Sequence, residues 1–251
     1  MEQFAFVTGL ATLGFSILVA IRLFLVARRT RGAPEIAMGV YQGLIVSAIF
    51  IYTIVVRFAE TIEPILIFRL VVFANLLIAT GVVALSIGIM RIYRPTDGWA
   101  TAFCFALIAW VLAGWSWSSV GESLPTTVAA TPANAFFVTG RAAVYLWGAF
   151  EGIRYHRMMR RRAALGLGDA VIAHRILLWG LFSLTMGTLA VASISAGYAL
   201  GDAYATWLPG RFITPVLSLV ASVLLWLGFF PPAAYERFVA RHSPSVATPA
   251  A

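Results

Sequence analysis

Residues 154–175, RYHRMMRRRAALGLGDAVIAHR, decide how this chain is read. They lie between two long apolar segments and carry Arg154, Arg157, Arg160, Arg161, Arg162 and Arg175 against a single acid, Asp169. No other stretch of this oily sequence is so densely positive. Short arginine-rich loops of membrane proteins stay on the cytoplasmic side. Fixing the side of this loop fixes all the others, because each spanning segment crosses once and the connections must alternate.

Composition sets the class. Of the 251 residues 61% are hydrophobic and only 11% charged, with a mean hydropathy of +0.90, whereas a soluble domain is about 25% charged. The chain reads as an all-α integral membrane protein. Its net charge of +8 comes from arginine alone, since there is no lysine. That charge sits in a few short loops rather than on one continuous face, which points to anionic lipid headgroups as partners and away from nucleic acid. Cys104 is alone within an apolar segment, so no disulfide framework and no cysteine-based metal site is expected.

Working outward from the basic loop, the fifth span covers about 135–153 and the sixth about 170–200. Asp169 is placed to cap the sixth, which at 1.5 Å per residue extends about 45 Å, longer than a bilayer core. Before these, spans are expected at about 4–26, 36–56, 65–90 and 99–120, and after them at about 212–230; each is close to the roughly 20 residues a crossing needs. Arg28, Arg29 and Arg31 follow the first span instead of preceding it, which makes it an uncleaved anchor with the N-terminus outside. Arg91 and Arg94 place the loop after the third span inside as well. The connection holding Arg57, Glu60 and Glu63, the loop 121–134 with Glu122, and the loop 201–210 with Asp202 carry no such excess and belong outside.

Trp99, Trp179 and Trp226 fall at the inner surface and Trp115, Trp117 and Trp207 at the outer one, as aromatic belts should. The expected fold is therefore one seven-transmembrane-helix domain, 1–230, with N-terminus outside and C-terminus inside. Residues 231–251 follow as a short interfacial helix around Tyr235, Phe238 and Val239 and a disordered tail. Gly39 and Gly43 on the second span allow a neighbouring helix to approach closely, and Ala102, Ala106, Ala109 and Ala113 on the fourth form a flat face expected to be buried among other helices.

Ionisable residues within the spans are the first candidates for function. Arg69 on the third span and Arg141 on the fifth lie at comparable depth in the outer half. Two guanidinium forks at one level suit a carboxylate, a phosphate or another anion; the alternative is that they snorkel outward or pair with Glu60, Glu63 or Glu122. Tyr145 shares the stripe of Arg141 at i+4. Asn75 and Gln42 are further buried polar candidates, for a ligand or for interhelical hydrogen bonds. Glu151, about 15 Å beyond Arg141 along the helix, is either a proton-accepting site or a salt-bridge partner of Arg154 at i+3. His156 and His174 flank the basic loop and are weak metal candidates, two imidazoles without further ligands.

No HExxH, CxxC, nucleophile elbow, Walker loop or paired acidic motif occurs, so the common hydrolytic, redox and phosphoryl-transfer chemistries lack their residues. A covalent retinal Schiff base, which seven helices with an outside N-terminus would invite, is excluded by the missing lysine. The sequence implies no cofactor. It predicts a non-enzymatic, sensor-like protein of a bacterial-type cytoplasmic membrane that binds a small anionic or amphipathic ligand in its outer half. A cytoplasmic protein would be met through Arg154, Arg157, Arg160, Arg161 and Arg162. A small-solute or anion transporter or channel, with Arg69 and Arg141 relaying toward Arg22, and an accessory subunit of a larger membrane complex are the alternatives.

Overall fold

In a computed structural model, residues 2–58, 61–120, 131–201 and 208–242 are described, and all regular structure among them is helical. Eight helices follow in order: α1 (Glu2–Thr30), α2 (Ala33–Arg57), α3 (Pro64–Tyr93), α4 (Gly98–Val120), α5 (Pro132–Ala164), α6 (Ala170–Leu200), α7 (Leu208–Phe229) and α8 (Ala233–His242). Glu60, Glu122, Asp202, Trp207 and the tail beyond His242 lie outside the described residues.

Local chemistry accounts for the boundaries. Prolines open α2, α3 and α5 in their first turn, where a missing N–H costs nothing. Thr131 caps α5 by accepting from the Asn134 amide at 3.2 Å, and Asp169 caps α6 by accepting from the Val171 amide at 2.7 Å. Between α7 and α8, Pro231 and Pro232 interrupt the helix, and the axes turn by 81°.

From α1 to α7 each helix packs on the next, α1 also meets α7 to close the ring, α3 also reaches α5, and α8 packs on α6. Short connections between packed neighbours make them antiparallel. The end of α3 meets the second half of α5 through Arg94 and Glu151, the later part of α1 meets the end of α7 through Arg22 over Trp226 and Phe230, and the start of α6 meets the end of α7 through Arg175. One end of the bundle thus collects most of the arginines, including Arg154, Arg157, Arg160, Arg161 and Arg162.

The tightest contact joins α5 and α6 at Gly152 and Gly180. A Cβ on Gly152 would stand 2.8 Å from the Gly180 Cα and 3.0 Å from its nitrogen, so the two backbones touch directly. The Gly39–Gly43 notch of α2 is occupied by the Phe24 ring of α1. The alanine face of α4 departs from expectation: Ala102, Ala106, Ala109 and Ala113 are exposed, and the buried face is Ala100, Cys104, Leu107, Val111 and Gly114. Gly114 explains the choice. Its missing side chain lets the Phe137 backbone of α5 approach to 2.6 Å from where a Cβ would stand, and that docking turns the alanines away.

Among the described residues, α3, α4, α6 and the Glu35–Val55 part of α2 are each long and apolar enough to cross a membrane, and α7 with α8 would add one more if the bent pair forms a single span. A multi-pass membrane protein built as a helical bundle follows from this. Helix α5 is more polar than these, carrying Arg141, Glu151, Arg154 and the arginines beyond.

Candidate functional site

Two groups of polar side chains stand out against the apolar packing, one within the bundle and one at its arginine-rich end.

The first is built on α2, α3 and α5. Tyr41 and Tyr52 are eleven residues, three helical turns, apart on α2 and so share one face. The Tyr41 hydroxyl hydrogen-bonds that of Tyr145 on α5 at 2.9 Å, and the Tyr52 hydroxyl donates to Asn75 Oδ1 on α3 at 2.9 Å. Tyr41 and Tyr145 are each 1% exposed, and the Tyr41 ring also meets Tyr145 and Phe182 edge-on. Arg141 lies one turn before Tyr145 on α5. Its guanidinium lies 5.4 Å from the centre of the Phe137 ring.

Among the described residues no carboxylate answers the guanidinium. Among the described residues Arg141 makes no ion pair, and its Nε is buried with no hydrogen-bond partner, a state it shares with the indole nitrogens of Trp147 and Trp179. Of these three donors only Arg141 is charged; the residue is half-buried, and a guanidinium partly withdrawn from water gains from an anionic partner.

The structure thus places Arg141 one turn from the Tyr41–Tyr145 pair, and gives Asn75 a separate partner in Tyr52, three turns from Tyr41 on α2. Arg69 does not join them: it is exposed, and makes no hydrogen bond or ion pair among the described residues. Arg69 and Asn75 are six residues apart, which at 100° per residue puts them on different faces of α3. Tyr41 and Tyr52 are additions that the sequence signals only through two phenols, three turns apart, in an apolar span. Gln42 is buried.

At the arginine-rich end Glu151 is 2% exposed and both its oxygens are engaged. Oε1 accepts from Arg94 Nε at 3.0 Å and Oε2 from an Arg154 terminal nitrogen at 3.4 Å, while Arg94 also reaches Asp97 at 2.9 Å and lies over the Trp99 ring at 5.2 Å. Arg94 comes from the end of α3, 57 residues earlier, beyond the reach of helical spacing rules. Arg154, Arg157, Arg160, Arg161 and Arg162 are all exposed.

His156 Nδ1 lies 2.7 Å from the Ala173 carbonyl oxygen; a carbonyl only accepts, so this nitrogen carries the proton and donates. His174 Nδ1 lies 2.6 Å from the Tyr235 hydroxyl, and the two imidazole rings are 6.5 Å apart. These contacts pin α5 to α6 and α6 to α8. Among the described residues no three side chains of His, Cys, Asp or Glu converge as a metal site would require.

No family model, curated protein or solved structure matches this chain. Function has to be argued from the two polar groups themselves.

Proposed function

We propose that this chain is a seven-span, non-enzymatic, sensor-like protein of a cytoplasmic membrane, N-terminus outside and C-terminus inside, which binds a small amphipathic anion at Arg141. The observation that carries the reading is the guanidinium of Arg141: among the described residues its Nε is buried without a partner and it makes no ion pair, one turn from the buried Tyr145 hydroxyl. A carboxylate is the group that best satisfies it. Two oxygens match the guanidinium fork, the Tyr145 hydroxyl donates a third hydrogen bond while accepting from Tyr41, and an apolar tail is accommodated by the surrounding bundle. Binding would change the packing of α5, whose far end carries the arginines proposed to meet a cytoplasmic partner.

Decanoate and decanol separate charge recognition from simple partitioning. In a neutral detergent, near-saturating decanoate is expected to raise the unfolding midpoint by about 5 °C, decanol to have little effect, and Arg141→Gln to abolish the rise. A rise that survives in Arg141→Gln, or an equal rise with decanol, would overturn the proposal. Accumulation of decanoate in proteoliposomes holding this protein alone would favour the transporter reading instead.

A further inference from the structure

The arginine-rich end holds a cleft that lies apart from the ligand site proposed at Arg141. Between the end of α3 and the last turns of α5 lies a cleft of about 770 Å³, walled by Tyr93 and Arg94 on one side and by Phe150, Arg154, Arg157 and Arg161 on the other. Five arginines line it and Glu151 is its one carboxylate. That carboxylate is already neutralised, by Arg94 and Arg154. Arg157, Arg161 and Arg162 make no ion pair among the described residues, so the cleft keeps a strong unanswered positive charge.

The order of side chains along α5 says what kind of anion fits. Phe150, Arg154, Arg157 and Arg161 follow at i, i+4, i+7 and i+11, a single stripe of the helix. Its first member is apolar and 63% exposed; the other three are cationic. Phe150 and Arg157 are about 10 Å apart along the axis. A water-soluble anion has no use for the exposed ring. A lipid needs this sequence, hydrocarbon first and phosphate next.

We propose that this cleft is a binding site for an anionic glycerophospholipid, with the phosphate between Arg154 and Arg157, an acyl chain along Phe150, and the glycerol headgroup toward Arg161. Arg94, fixed by Asp97 and Glu151, forms the rigid wall against which the headgroup is held. The site does not depend on ligand binding at Arg141, so either proposal can fail alone.

Native mass spectrometry of the purified full chain, offered phosphatidylglycerol and phosphatidylcholine of identical acyl chains, tests it. The wild-type protein is expected to retain phosphatidylglycerol over phosphatidylcholine by about tenfold. The triple variant Arg154→Gln/Arg157→Gln/Arg161→Gln should bring that ratio close to one. Arg28→Gln/Arg29→Gln, which removes two arginines outside the cleft, should leave it unchanged. Equal retention of the two lipids by wild-type protein overturns the proposal without needing any variant to fold. So does displacement of bound phosphatidylglycerol by inorganic phosphate at matched concentration, which would mark a site for a free anion.

Discussion

Glu151 shows how unequal two contacts to one carboxylate are. Arg94 is held in a part-buried position, its side chain 17% exposed, and donates at 3.0 Å, whereas Arg154 is 55% exposed and its contact is 3.4 Å. Solvent-exposed pairs contribute about 0–1 kcal/mol, but removing one partner of a buried pair costs about 3–5 kcal/mol because a charge is left behind. Arg154→Ala is therefore expected to lower stability by less than about 1 kcal/mol, and Arg94→Ala by about 3 kcal/mol, toward the low end because the long Arg154 contact remains. Thermal unfolding of the two variants in one detergent checks the order; equal losses would mean that Glu151 relies on both arginines alike. Only the lesser contact is legible in the sequence, since i, i+3 spacing brings Arg154 to Glu151 on one helix. The greater one joins two helices 57 residues apart, and no local pattern announces it. The same limit applies to Arg141, whose depth is readable along α5 while its phenolic neighbours on α2 depend on how the helices dock.

At the scale of the helices, small residues divide into two kinds that look identical in sequence. Gly152 sits against the Gly180 backbone, where a Cβ would be 2.8 Å from Cα, and neither main chain has a flexible end to move aside. Ala106 of α4 is exposed. Gly152→Val is expected to cost about 3 kcal/mol or more through overpacking at the α5–α6 contact, while Ala106→Val should stay within about 0.5 kcal/mol. Unfolding midpoints of the purified variants measure both; a large loss in Ala106→Val would show that its face is covered by another chain. The helix positions themselves are largely readable from apolar length, from the prolines at the starts of α2, α3 and α5, and from Asp169 as a cap. Which face of α4 turns inward was not, because hydrophobicity is spread around that helix and the decision rests on the fit of Gly114 to the Phe137 backbone.

For the whole molecule, the decisive element is α5, since its apolar portion contains Arg141 and its far end is arginine-rich. If α5 crosses, Glu63 and Arg157 are separated by three spans, α3, α4 and α5, and must face opposite sides. If it does not, two spans separate them and both face the same side. The chain suits a labelling test because Cys104 is its one cysteine and is buried. In a Cys104→Ala background, Glu63→Cys and Arg157→Cys place single thiols at two exposed positions. The proposed topology predicts that a membrane-impermeant maleimide added to intact cells labels Glu63→Cys at once and Arg157→Cys only after permeabilisation. The arginine count favours this hand, because moving the 154–162 cluster outward would violate the positive-inside bias at its strongest point. The crossing itself is supported by packing: α5 lies against α3, α4 and α6, each apolar enough to span, and its Tyr145 is buried against Tyr41 of α2. Labelling of both thiols from the outside would take α5 out of the bilayer and the site at Arg141 with it.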